Sequence, residues 1–235
     1  MFSFKQFNVE DSASGLKVGT DAVLIGVWTN VNGLDDSSLV VDAGAGCGII
    51  SLIIAQRCQA KIEGVEIDHD ACLDCEKNFT SSPWPERLNT CHSDFLDYYP
   101  TPSTGINLII SNPPFFSTGI RAGQQARANA RHEDRLPMNE LIGHAARLLV
   151  TGGRLSMVIP TERENEIIWH SSLVGLTPSR LCRVRTTPKQ PPKRLLIELT
   201  KGKAKYKEEI LCIHDLSGTY SDEFTALVKD FYLKM

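Results

Sequence analysis

The sequence predicts an α/β fold, with a mostly parallel sheet, helices on both faces and an antiparallel hairpin at one edge. Three observations predict it. Short apolar runs alternate with helical segments from residue 39 to residue 174. A glycine-rich turn separates the first of these strands from its helix. The last two strands are joined without a helix, which an antiparallel pair permits and a parallel pair does not.

Taken in order, Ala22 to Val31 reads as an apolar helix that Thr20 or Asp21 would cap. Leu39-Val40-Val41 is a strand ending at Asp42, and Ile49 to Cys58 is the helix after the turn. Lys61 to Ile67 reads as a strand and Asp70 to Phe79 as a helix, before Ser81-Ser82-Pro83-Trp84-Pro85 breaks the chain. Leu88 to His92 and Ile106 to Ser111 follow as strands, the second apolar enough to be buried on both faces. Residues 115–136 lack a period and read as a long loop carrying Arg121, Arg127, Arg131 and Arg135. Asn139 to Val150 is a helix stopped by Gly152-Gly153, Leu155 to Ile159 a strand, and Glu162 to Val174 a helix ended by Gly175. Leu181 to Thr186 and Leu195 to Thr200 are the final strands, joined by the proline-rich Thr187 to Lys193. Asp222 to Leu233 is a candidate C-terminal helix. One domain is expected over 1–235, with an N-terminal extension and helix (1–38), a core (39–201) and a tail (202–235).

The 235 residues suffice for one such domain with a sizeable core. The N-terminus lacks a signal-peptide pattern, and no apolar run has the length of a membrane span. A cytoplasmic protein without a membrane partner, monomeric by default, is the expectation. The seven cysteines are scattered. Cys72 and Cys75 form a C-x-x-C pair, but no second pair stands at zinc spacing, so two reduced thiols on one helix and no metal are expected. The net charge of −3 is unevenly spread. Residues 1–112 hold 6 Lys/Arg against 15 Asp/Glu, and residues 121–207 hold 17 against 7. A polyanion partner for the second half follows.

Asp42-Ala43-Gly44-Ala45-Gly46-Cys47-Gly48 runs from strand to helix through glycines that let a backbone turn tightly and approach a ligand. A dinucleotide fingerprint needs a glycine where Ile49 stands, so a pyrophosphate site is not expected. Glu66 ends the next strand and can accept hydrogen bonds from both ribose hydroxyls. Asp94, after the third strand, can accept from an adenine amino group while Phe95 packs on the ring. Together these acids and glycines make a nucleoside crevice. They resemble the class I S-adenosylmethionine-dependent methyltransferases, whose first motif matches Asp42 to Gly48. That resemblance implies a Rossmann-like sheet of seven strands and a cofactor held by Val18, Gly19, Thr20, Asp42, Gly44, Gly46, Glu66, Ile67, Asp94, Phe95 and Asn112.

Asn112-Pro113-Pro114-Phe115 directly follows the buried strand. An exocyclic amine on an aromatic ring is a poor nucleophile because its lone pair is delocalised. The Asn112 side-chain oxygen and the Pro113 carbonyl are two acceptors able to hold its hydrogens and turn the lone pair toward a methyl donor. Proline fixes φ and has no N–H, so the backbone there is held still. Phe115 would stack on the base. The tetrapeptide is similar to that of the amino-methyltransferases, whose targets include adenine N6, cytosine N4, guanine N2 and the glutamine amide.

The combination of Phe4-Lys5-Gln6-Phe7, Lys17-Val18-Gly19-Thr20-Asp21, the glycine turn and Asn112 to Phe115 resembles the bacterial tRNA1(Val) (adenine-37-N6)-methyltransferase family. Arg131-His132-Glu133 and Lys193-Arg194-Leu195-Leu196 resemble it too; the tail from Lys201 matches less clearly. The resemblance implies methylation of adenine N6 in a tRNA anticodon loop, with Arg127, Arg131, Lys189, Lys193 and Arg194 as candidate RNA contacts. Guanine N2 in rRNA, a protein glutamine amide, and an inactive RNA-binding scaffold are the alternatives. The short N-terminal extension and the basic second half favour RNA over protein.

Overall fold

The computed structural model describes residues 1–12, 18–101, 105–114 and 136–234. Phe2–Ser3 (β1) and Asn8–Val9 (β2) form a small antiparallel hairpin. The chain then alternates through α1 (Thr20–Trp28), β3 (Leu39–Ala43), α2 (Ile49–Arg57), β4 (Lys61–Glu66), α3 (His69–Thr80), β5 (Leu88–His92) and β6 (Ile106–Ser111). It continues through α4 (Met138–Leu148), β7 (Leu149–Pro160), α5 (Glu164–Leu173), β8 (Leu176–Arg185), β9 (Arg194–Lys201), β10 (Lys207–Cys212) and α6 (Asp222–Val228).

The main sheet runs β10-β8-β9-β7-β6-β3-β4-β5. Only β9 is antiparallel to its neighbours, β7 and β8. The central strands are apolar on both faces because both faces are covered. Val40, Leu108 and Ile110 point into a core shared with α1, α2 and α3, while Val41, Ala43 and Ile109 point into one shared with α4 and α5. The strand order reverses between β3 and β6, and the carboxyl ends of these two strands open the crevice where α/β sheets bind ligands.

The tail supplies an eighth strand. The seven strands implied by the resemblance are present, but the β8–β9 hairpin is not the edge. β10 pairs in parallel with β8 and covers it. Its charged Lys207, Glu208 and Glu209 hide the strand from a hydrophobicity pattern, since an edge strand keeps one face and one side in solvent.

Smaller differences have local causes. Neither Thr20 nor Asp21 caps α1. Gly19 is the N-cap and gives no side-chain bond, and the helix ends at Trp28, where Thr29 turns extended. Gly152-Gly153 does not end α4, which stops at Leu148. It forms a bulge inside β7, where Ile106 faces Leu149 and Leu108 already faces Arg154. A Cβ on Gly153 would lie 2.9 Å from the Ile106 carbonyl oxygen. β8 begins at Leu176, earlier than expected, and carries a register shift between Pro178 and Arg180. The C-terminal helix is only Asp222–Val228. Beyond it Phe4 bridges Tyr232, and the Phe4 ring stacks on those of Phe7 and Tyr232, tying the two ends of the chain together. Among the described residues, no helix is long and apolar enough to cross a membrane.

Candidate active site

The glycine turn uses its three glycines for two reasons. Gly44, Gly46 and Gly48 all have positive φ, a region that Cβ-bearing residues avoid. At Gly48 space matters too, because a Cβ there would stand 2.5 Å from the Phe79 ring and 2.8 Å from Cys75 Sγ on α3. At Gly44 a Cβ would meet nothing within 4 Å, so its outer side is open to a ligand.

Asp42 lies beneath the turn, fully buried. Its Oδ2 accepts from Ser51 N–H at 3.1 Å and Ser51 Oγ at 2.8 Å, while Oδ1 has no partner. Burial pushes its carboxyl up to about 7; the Ser51 bonds oppose this and the nearby Glu66 charge adds to it. Glu66, at the end of β4, links two turns. Its Oε2 accepts from Gly46 N–H at 2.7 Å and its Oε1 from Asp68 N–H at 2.8 Å. Each carboxylate oxygen keeps further lone-pair capacity. The next side chain, Ile67, is exposed despite being apolar.

Asp94 caps the short 3-10 turn Phe95–Asp97, accepting from Leu96 N–H at 2.9 Å. The Phe95 ring is only 3% exposed and packs in the α4/α5 core against Tyr98 and His144. It therefore does not pack on a ligand ring in the crevice, which corrects the sequence expectation. Aromatic side chains carry enough apolar area that the core is their default destination.

Asn112 and Pro113 leave β6 next to the glycine turn. Asn112 is partly exposed, and Pro113 is buried. Among the described residues nothing hydrogen-bonds the Asn112 side chain. The preceding Ser111 is fully buried and donates its hydroxyl to the Ala43 carbonyl at 2.7 Å, joining the ends of β6 and β3. Phe115, Arg127 and Arg131 lie outside the described residues, as does the rest of the 115–135 segment.

The N-terminal segment is drawn over the turn by Asn78 of α3. The Asn78 amide oxygen accepts from Glu10 N–H at 2.8 Å, and its nitrogen donates to the Glu10 and Cys47 carbonyls at 2.8 Å each. Asp11 in turn accepts from Val18 N–H at 3.1 Å. Val18 is thereby brought to the turn, and Gly19 and Thr20 follow it, exposed, into α1. Ser51, Asn78 and Ser111 escape a sequence reading because lone polar residues inside apolar patterns carry no motif.

Of the candidate RNA contacts, Lys189 and Lys193 are exposed, and Arg194 Nε pairs with Asp21 at 2.8 Å. Cys72 and Cys75 share α3, and burial raises both thiols, Cys75 well above its usual range. That is the opposite of an activated thiolate. Among the described residues no group of three or more His, Cys, Asp or Glu is placed to hold a metal.

The methyltransferase small domain family matches residues 12–174. A tRNA1(Val) (adenine(37)-N6)-methyltransferase of Shewanella amazonensis is 40% identical over 234 residues, covering 100% of this chain and 99% of the relative. One of Bacteroides fragilis is 40% identical over 235 residues, covering 100% and 98%. Among solved structures, a predicted O-methyltransferase of Agrobacterium tumefaciens has a TM-score of 0.69 at 18% identity, covering 90% of this chain and 96% of that one. A methyltransferase of Pyrococcus furiosus has a TM-score of 0.60 at 17% identity, covering 84% and 90%. The two structural matches carry the fold, and the sequence matches carry the family. The glycine turn, the acids at the ends of β4 and β5, and Asn112-Pro113-Pro114 after β6 are thus set in a sequence that belongs throughout its length to the tRNA1(Val) (adenine(37)-N6)-methyltransferase family.

Proposed function

We propose that this chain transfers a methyl group from S-adenosylmethionine to N6 of adenine 37 in tRNA1(Val). The observation that carries the target atom is the position of Asn112 and Pro113 at the carboxyl end of β6, one residue beyond the Ser111–Ala43 bond. Two acceptors leave the sheet beside a nucleoside crevice, where an amino group is to be held.

The crevice suits the cofactor. S-adenosylmethionine is cationic at its sulfonium and its ammonium, and Asp42, Glu66 and Asp94 stand at or just after the carboxyl ends of β3, β4 and β5, with Glu66 bonded to Gly46 N–H of the turn. Asp42 Oδ1 is buried without a partner, and a Cβ on Gly44 would meet nothing within 4 Å. Glu66 is assigned to the ribose hydroxyls. Ile67, Asp94 and the Phe95 backbone are assigned to the adenine. Val18, Gly19, Thr20, Gly44 and Gly46 are assigned to the methionine end. When bound, S-adenosylmethionine supplies a methyl group on a cationic sulfur that leaves as a neutral thioether.

The chain's own residues align and polarise. The Asn112 oxygen and Pro113 carbonyl take the two N6 hydrogens, which localises the nitrogen lone pair. Phe115 is assigned to stacking on the base. The activated donor makes a strong general base unnecessary, so rate enhancement comes from alignment and fixed dipoles. Lys189, Lys193, Arg194, Arg127 and Arg131 are assigned to RNA phosphates. The one-domain reading of 1–235 is supported by β10, which carries the tail into the main sheet. The cytoplasm is the proposed compartment, as for a tRNA-modifying enzyme of bacteria.

The test is methyl transfer to tRNA prepared without the modification, read by nucleoside mass spectrometry, for wild type and Asn112→Ala. Wild type should form N6-methyladenosine, and Asn112→Ala should lose about 10²- to 10³-fold in kcat, with cofactor affinity measured separately because Asn112 is also assigned to the cofactor. A different methylated nucleoside would overturn the target assignment. Full activity in Asn112→Ala would overturn the residue's role.

A further inference from the structure

A second cavity opens on the same edge of the sheet, between the start of α1 and the ends of β8 and β10. Its volume is about 360 Å³, and its walls include Thr20, Leu24, Lys193, His214, Tyr220 and Phe224. The tail builds one side of it, through Ile213, His214, Tyr220, Phe224 and Tyr232. Because β10 runs parallel to β8, it ends on the carboxyl edge, and residues after Cys212 stand where the central strands also end. An antiparallel eighth strand would have carried them to the opposite edge.

The aromatic wall is pre-formed. His214 and Tyr220 form a β-bridge and their rings stack with centroids 5.1 Å apart. Tyr220 lies 5.0 Å from the buried Phe224 ring and is itself 49% exposed. The turn between His214 and Tyr220 is held by Asp215, which accepts from the N–H and hydroxyl groups of both Ser217 and Thr219. A platform fixed in this way costs a ligand little ordering entropy. Lys193 stands at the rim with its side chain exposed, and exposed Lys189 lies on the same connection.

The register places this cavity near the amine-holding residues. Ser111 faces Met157 on β7, and Arg194 faces Pro160, three residues further toward the carboxyl edge and one strand beyond. With strands about 4.8 Å apart and about 3.3 Å per residue, Arg194 stands on the order of 14 Å from Ser111. A few unstacked nucleotides cover that span. We propose that the cavity holds one unpaired base flanking the target adenine, against the His214–Tyr220–Phe224 rings, with Lys193 on its phosphate. This rests on the RNA-methylation reading above. Aromatic rings beside a cation are what single-stranded nucleic acid binds, and stacking tolerates any base.

The experiment is steady-state methylation of tRNA by wild type, Tyr220→Ala, Tyr220→Phe and Lys193→Glu, with cofactor binding to each measured by calorimetry. Tyr220→Ala should raise KM for tRNA about tenfold with cofactor affinity unchanged, and Tyr220→Phe should stay near wild type. Lys193→Glu should raise the same KM and flatten its salt dependence. In a substrate arm, an abasic nucleotide is placed at each position flanking the target adenine. One position should raise the wild-type KM and add nothing further to Tyr220→Ala. Unchanged KM in folded Tyr220→Ala overturns the proposal whatever Lys193→Glu does, since Lys193 is assigned to RNA phosphate with or without this subsite. Should Tyr220→Ala lose cofactor binding through misfolding, the abasic series with wild type decides, and a flat series overturns the proposal. If wild type forms no N6-methyladenosine at all, the function reading fails and takes this proposal with it. A wild type that is active, beside variants that behave identically to it, sinks the subsite alone.

Discussion

Ser111 and Ala43 join the two halves of the crevice, the Ser111 hydroxyl donating to the Ala43 carbonyl at 2.7 Å with both residues fully buried. β3 leads into the glycine turn and β6 into Asn112, so this bond sets how the turn and Asn112 stand to each other. Ser111→Ala leaves the Ala43 carbonyl without that donor. A stability loss of about 1–3 kcal/mol is expected, measured by urea denaturation. Misalignment should also lower kcat at least about tenfold while cofactor affinity changes little. An unaltered kcat in a folded Ser111→Ala protein would show that the bond has no positioning role.

Glu66 carries a structural task besides its assignment to ribose. It accepts from Gly46 N–H and Asp68 N–H with separate oxygens, so both turns lean on one carboxylate. Glu66→Gln replaces one acceptor by an NH₂ group that faces an N–H. Cofactor affinity should fall about tenfold to hundredfold, since a bond to a charged group is worth about 1.5–3 kcal/mol. Titration calorimetry with S-adenosylhomocysteine reads this without any RNA. Equal affinity for wild type and Glu66→Gln would remove Glu66 from the binding assignment.

Asp42 makes stability depend on pH. Its carboxyl is raised from an ordinary 3.8 to about 7, with burial the leading cause. Between these values the folded protein holds a proton that the unfolded chain has released. Stability therefore falls as pH rises from about 4 to about 7, and the full penalty is present above that range. Asp42→Asn keeps a side chain of the same shape and an oxygen for Ser51, but it has nothing to ionise. Its unfolding free energy should be flatter than that of wild type across this window, by a few kcal/mol in order of magnitude. Parallel pH profiles for the two proteins would mean that the Asp42 carboxyl titrates at its ordinary value.

Much of this architecture was legible in the sequence because its signals are local. Leu88 to His92 and Ile106 to Ser111 are strands with the expected bounds, since short apolar runs between breakers leave little choice of ends. Three glycines in five residues announce the turn because positive φ at Gly44, Gly46 and Gly48 excludes most other residues. The acids at Glu66 and Asp94, and Asn112-Pro113, could be placed at strand ends once the strands themselves were placed.

What the tertiary structure alone decided is whatever depends on partners distant in the chain. Phe95 looks the same in sequence whether its ring faces a ligand or the core, and only the packing of α4 and α5 settles that it faces the core. β10 has too many charges to read as a strand, and its direction is set by pairing with β8. That direction brings His214 and Tyr220 to the carboxyl edge, where β3 and β6 also end. Ser51, Asn78 and Ser111 are single polar residues whose meaning lies in a buried acceptor on another element, at Asp42, Cys47 and Ala43. Glycine and proline state a backbone requirement in their own covalent structure. A hydrogen-bond partner 68 residues away, as Ala43 is from Ser111, is stated only by the fold.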